Sequence, residues 1–330
     1  MSINTEQFSA TLRDKAIDVT NQRLLVTNLR GSQQEEDLSE PANCDGYGRV
    51  RHFRRIGSPG WPENPLPIDP ASWKLGLSRE GVLKAQVFQN AACNWRCWYC
   101  FVPFNLLSAS REHSGWLTAG DILDLYQREV HAPAVIDLSG GQPDLTPEWV
   151  PWMMRELKRR GLDHSVYLWS DDNLSNDYFW RFLTDEDITL IRGYVNYGKV
   201  CCFKGFNAES FAFNTAAAPE LFDQQFALFR RYVQLGLDLY AYATFTAPRD
   251  TGIKSEMRNF VDRLQAISPN LPLRVVPLEV RAFAPVHERM KEAHHRSIEV
   301  QWNAIRCWNA ELERRFPIDL RQQPIYEVSL

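Results

Sequence analysis

Val82-Leu-Lys-Ala-Gln-Val-Phe-Gln-Asn-Ala-Ala92, running straight into Cys93-Asn-Trp-Arg-Cys97-Trp-Tyr-Cys100, is the stretch on which the reading of this chain turns. Lys84 to Phe88 has the composition of a strand, and the cysteine string follows it as a loop. The C-x3-C-x2-C spacing can bring three thiolates to one point, while the neighbouring chain offers no obvious fourth ligand; the nearest histidine is His113. A structural zinc site is closed by four ligands, and a cluster held by four cysteines is likewise full. Three ligands leave one metal position open to a substrate. Two other readings of the same residues stand beside this one: a zinc site completed by a distant ligand, and three buried thiols.

Working outward, strand and helix signals alternate. Thr118 to Val130 places Ile122, Leu125, Tyr126 and Val130 at helical spacing, with Thr118 as N-cap. Ala134 to Leu138 is a short apolar strand that ends at Gly140-Gly141. Thr146-Pro147-Glu148 opens a helix with a cap, a proline at its first position and an early acid; that helix runs to Arg160 and stops at Gly161. Val166–Trp169, Ile188–Ile191, Val200–Phe203, Leu239–Phe245 and Leu273–Val276 read as strands. Asp177–Leu183, Pro219–Gln234 and Lys254–Ile267 read as helices, and His287–Phe316 is a long helical region with a possible break. This alternation predicts right-handed βαβ units around a parallel sheet, with ligands at the C-terminal strand ends. Cys93, Gly140, Ser170 and Lys204 all follow predicted strands and are expected to converge on one rim.

The cysteine string resembles the cluster motif of the radical S-adenosylmethionine (SAM) enzymes. A second segment, Val135-Ile-Asp-Leu-Ser139-Gly140-Gly141-Gln142-Pro143, looks like that family's GGEP turn, with Gln142 where Glu is usual. The resemblance spans about residues 82–280. It implies a partial (β/α)6 TIM-like barrel over 81–285, with an irregular N-terminal extension (1–80) and a C-terminal helical segment (286–330). It implies that Cys93, Cys97 and Cys100 hold a [4Fe-4S] cluster whose open iron is chelated by SAM. Tyr99 would lie near the adenine, and the Gly140-Gly141 backbone near the methionine amino group. Ser170 or Asp171 would meet the ribose or carboxylate. Cys202-Phe203-Lys204-Gly205 is similar to the strand-end lysine of the branch around pyruvate formate-lyase activating enzyme, so Lys204 would neutralise the SAM carboxylate. The activity implied is reductive cleavage of SAM to a 5′-deoxyadenosyl radical that abstracts hydrogen. The implied partners are an electron donor such as flavodoxin or ferredoxin, and either a glycyl radical enzyme or a substrate that is a small molecule, nucleotide or peptide. A zinc-stabilised binding domain is the non-enzyme alternative.

The bulk numbers bound these readings. At 330 residues, 44% hydrophobic and 12% aromatic, the chain can build a substantial core. Its net charge of −4 argues against a protein built around nucleic-acid backbone. Residues 1–15 carry no signal-type apolar run, no stretch reaches membrane-spanning length, and seven cysteines are odd in number and clustered. A reduced, cytoplasmic setting is expected. Trp95, Trp98, Trp116, Trp149, Trp152 and Trp169 flank the string; packing accounts for them more readily than substrate stacking. Ser170 and Asp171 are nearly as well explained as a helix cap. Thr244 and Thr246 are weaker candidates for the adenine or substrate side. Arg274 and Glu279 are read chiefly as packing ion pairs. Cys44, Cys201, Cys202 and Cys307 read as isolated structural thiols, with Cys201 and Cys202 on opposite faces of one strand. The basic stretch Gly48–Arg55 reads as solvated or salt-bridged rather than as an anion grip. Residues 57–70 are rich in Pro and Gly and read as loop.

Overall fold

The computed structural model describes residues 2–55, 63–79 and 81–330. Its strands are β1 (Ile17–Asp18), β2 (Arg23–Thr27), β3 (Gly48–Phe53), β4 (Leu83–Phe88), β5 (Ser114–Thr118), β6 (Val135–Leu138), β7 (Tyr167–Asp172), β8 (Tyr197–Phe203), β9 (Leu239–Thr244) and β10 (Val275–Leu278). One sheet has seven strands in the order β10-β9-β8-β7-β6-β4-β3, and a small one pairs β1, β2 and β5. From β4 to β10 every neighbour in the large sheet is parallel, while β3 lies antiparallel on β4. The large sheet curls into a half-barrel with helices on its outer face.

Local signals explain most elements. Helix Ala119–Arg128 starts at Thr118, whose hydroxyl accepts from the Asp121 amide while Asp121 answers the Thr118 amide, a reciprocal cap. Helix Leu221–Leu235 ends where Gly236 turns left-handed at φ 71°. The expected break in the C-terminal region falls between helices Ala284–His287 and Glu292–Arg315.

Other expectations need correction. Ile188–Ile191 is not a strand: it lies inside helix Asp185–Gly193, launched by the Thr184/Asp187 cap. Thr146 is not an N-cap. Its hydroxyl is taken by Asn90, and the helix begins at Trp149 instead. The last strand starts at Val275 rather than Leu273, because Leu271–Arg274 winds into a 3-10 turn. Helix Ala208–Thr215, capped by Asn207, is an element that the strand and helix periodicity did not reveal.

The leader, expected to be irregular, contains helix Thr5–Ala16, strands β1 to β3 and helix Ile68–Leu75. Part of the loop expected over residues 57–70 lies outside the described residues.

Strand pleating sorts the residues. Ile136, Leu138, Leu168, Cys201, Phe203 and Ala241 turn outward under the helices. The ladder register sets Arg49, Val87, Asp137 and Trp169 in one inward row, with Arg51, Ala85, Val135 and Tyr167 in the next. Tyr167, Trp169 and Tyr240 floor this lumen together with Leu66, Ile68 and Ile325. Large apolar side chains buried there stabilise the fold by roughly 1.5–3 kcal/mol each, so that end is sealed by packing.

Candidate active site

The cysteine loop leaves β4 at Phe88 and is pinned on every side. The Cys93 amide donates to the Leu107 carbonyl at 3.0 Å, the Arg96 amide to Thr215 at 3.1 Å and the Trp98 amide to Asn214 at 3.2 Å. Trp95 Nε1 donates to Thr5 Oγ1 at 3.1 Å, and Asn94 Nδ2 donates to Ser9 Oγ at 2.8 Å. The leader helix is therefore part of the site's frame. Trp98 stacks on His294 with centroids 4.5 Å apart, which ties the C-terminal helix to the same loop.

Cys93 and Cys97 are buried, Cys100 is half-buried, and each lies within electrostatic reach of at least one other. Burial pushes Cys97 up to about 12, with Lys204 pulling the other way. Cys93 and Cys100 are raised by burial too, against Arg96, Lys204 and, for Cys100, Arg289. These thiols resist ionising alone, whereas a metal deprotonates a thiol outright. Lys204 is placed to balance the charge: burial opposes its ammonium, but Cys202, Tyr99, Cys97 and Cys93 around it outweigh that and raise it. Soft sulfur donors ringed by cations suit an iron–sulfur cluster. Among the described residues, no three His, Cys, Asp or Glu side chains are gathered as ligands to one ion. Asn173, whose Nδ2 lies 3.9 Å from Cys93 Sγ, has a buried Oδ1 with no partner, an acceptor free for an occupant.

Around the loop, Tyr99 points inward and its hydroxyl meets Thr244 Oγ1 at 3.0 Å, at the end of β9. Gly140 and Gly141 both take positive φ, 77° and 61°. A Cβ on Gly141 would stand 2.3 Å from the Asn90 carbonyl oxygen and 2.5 Å from that of Ala92, so only glycine lets this turn abut the chain entering the cysteine loop. Gln142 then bridges to β7: its Nε2 donates to Asp172 at 2.7 Å and its Oε1 accepts from the Asn173 amide at 2.9 Å. A glutamate could not donate there, which gives the departure from GGEP a local cause. Asp171 faces the lumen, accepts from Ser139 Oγ and lies near Arg51 and Lys204.

The site therefore brings together Cys93, Cys97, Cys100, Tyr99, Gly140, Gly141, Asp171 and Lys204, with Thr244 beside them. It does not include Ser170, which turns to the helix side and pairs with the Tyr197 hydroxyl at 2.7 Å. Thr246 serves as a brace, donating to Asn214 Oδ1 at 2.7 Å. Arg274 anchors the C-terminal tail through the Val328 and Tyr326 carbonyls and pairs with Asp238, while Glu279 pairs with Arg281. Cys201 and Cys202 do face opposite ways, and Cys202 enters the lumen beside Lys204.

In the basic stretch, Arg54 is exposed and Arg55 is salt-bridged to Asp69, as expected, but Arg49 departs. Arg49 is 6% exposed and lies inside the lumen, with its guanidinium carbon 5.1 Å from the centre of the Phe101 ring. Asp137, also inside, had no sequence reading; a lone acid at the inward-facing place of Val135-Ile-Asp-Leu138 was the available signal.

No family model and no curated protein matches this chain. Among solved structures it is similar to Streptococcus suis SuiB bound to precursor peptide SuiA, at 13% identity over 55% of this chain and 36% of that one, with a TM-score of 0.39. SuiB bound to S-adenosylmethionine gives 14%, 54%, 36% and 0.38 in the same order. The chain thus spans about a third of the length of the structures it matches. No helix among the described residues is long and apolar enough to cross a membrane.

Proposed function

We propose that this protein is a radical SAM enzyme on a partial (β/α)6 barrel over 81–285, with 286–330 closing it and the leader supplying β3 and part of the loop's frame. One observation carries the reading: buried Cys93 and Cys97 and half-buried Cys100 share a loop after the first parallel strand, within electrostatic reach of half-buried Lys204, which directly follows the fourth. Cys93, Cys97 and Cys100 would hold a [4Fe-4S] cluster. Bound there, the cluster supplies the low-potential electron that breaks a carbon–sulfur bond of SAM. The chain's own work is placement and exclusion of water. Lys204 offers a cation to a carboxylate, the Gly140-Gly141 backbone approaches closely, and Tyr99 fills the rim toward Thr244. Asp171 offers an acceptor.

The test is anaerobic loading with iron and sulfide, followed by metal analysis and reductant-dependent SAM cleavage. Loaded protein is expected to bind iron and sulfide in equal amounts and to cleave SAM. Cys97→Ala is expected to lose cleavage and most of its iron. Bound zinc with no cleavage, or iron retained by the variant, overturns the assignment.

A further inference from the structure

The lumen beneath the cysteine loop holds two ionisable groups that the preceding reading does not use. Arg49 comes from the leader's β3 and is 6% exposed, yet its Nε and Nη2 have no hydrogen-bond partner among the described residues. Those two atoms form the side-on edge of the guanidinium, the fork that grips a carboxylate or phosphate with two parallel bonds. In the same inward row, Asp137 is fully buried and neither of its oxygens has a partner. The two side chains feel each other's charge but do not bond. Arg51 and Asp171 are their charged neighbours. A buried polar group without a partner costs free energy that a fold does not carry without cause. Two in one row, unmatched to each other, call for a third body.

We propose that this lumen is the substrate site, taking a small molecule whose carboxylate or phosphate is gripped by the Arg49 fork while a hydrogen-bond donor on the same molecule meets Asp137. Its place under Phe101, the residue after Cys100, sets that molecule beside the cysteine loop. The size follows from the roof. Phe283 packs against Phe101, the Ala284 amide donates to Asp37, and Arg289 donates to the Val102 carbonyl. Leader and C-terminal segment would both have to move before a folded partner reached Arg49. The assignment rests on the radical SAM reading for its chemistry, but its binding test does not.

SAM also carries a carboxylate, so the experiment separates the two sources. Binding of ethylphosphonate and 2-aminoethylphosphonate to the full-length chain is measured by calorimetry, without iron and after anaerobic loading. The iron-free chain is expected to bind both, preferring the amino compound. Arg49→Lys keeps the charge but not the fork, and should weaken both by about tenfold. Asp137→Asn should erase the preference for the amino compound while leaving ethylphosphonate bound. Saturating SAM should leave phosphonate binding to the loaded chain intact. Equal affinities in wild type and Arg49→Lys overturn the proposal, as does a preference that survives Asp137→Asn. Displacement by SAM assigns the fork to SAM and also overturns it. If Arg49→Lys fails to fold, the Asp137→Asn and SAM arms still decide. Failure to load iron counts against the radical SAM reading alone.

Discussion

The two faces of the half-barrel sheet each bury a cation and an acid, and they treat them in opposite ways. On the helix side, Lys199 Nζ meets both Asp144 oxygens at 2.8 and 3.0 Å, and the Tyr232 hydroxyl donates to the same carboxylate at 2.6 Å. Asp144 holds the Lys199 ammonium above its ordinary value although burial works against it. In the lumen, Arg49 and Asp137 leave four atoms without partners among the described residues. Equal burial with unequal satisfaction distinguishes a group kept for the fold from one kept for a ligand.

The largest effect that would break this contrast is on the helix side. Lys199→Met strands Asp144 and should cost about 3–5 kcal/mol in denaturant unfolding; a cost below about 1 kcal/mol would mean the pair is no more structural than its lumen counterpart. Gln142→Glu sets a carboxylate against Asp172 in place of a donated bond, and should cost about 2 kcal/mol at neutral pH. Because the paired acids in that variant are easier to protonate folded than unfolded, its deficit should shrink as pH falls toward 4.

Asp137 sharpens the comparison through pH. Burial, with Asp171 nearby, raises its carboxyl to about 8, against the pull of Arg51 and Arg49. A folded-state value above the unfolded one means that protonation stabilises the fold. That contribution is complete below about pH 4 and drains away as pH rises toward 8. Asp137→Asn should therefore gain on wild type across that window, by on the order of 2 kcal/mol, in parallel unfolding titrations. A flat difference would show that Arg49 already satisfies the acid. The smallest effect is Ser170→Ala, expected to cost about 1 kcal/mol of stability through the lost Tyr197 bond and to leave the proposed SAM cleavage unchanged.

What the sequence made legible were features written locally. The cysteine loop, the Gly-Gly turn and the lysine ending β8 sit where strand periodicity placed them, and the pleat alone separated Cys201 from Cys202. What stayed hidden depended on pairing across long separations. Nothing within Gly48–Phe53 says that it folds back on β4, so Arg49 read as a surface cation until the register turned it inward. Ser170 failed for a related reason: one residue's shift along a strand exchanges lumen for helix side, and strand ends could not be fixed that finely. Ile188–Ile191 misled because an apolar triplet has no period of its own, while the Thr184/Asp187 signature just ahead of it was readable and outweighed it.

β3 carries a last consequence. Its ladder with β4 is made of backbone bonds, indifferent to which side chains stand at 49 and 51. Under the substrate-site proposal, descendants of this chain could alter what they consume by rewriting a letter in a borrowed edge ribbon, leaving the sulfur-bearing loop's own sequence untouched.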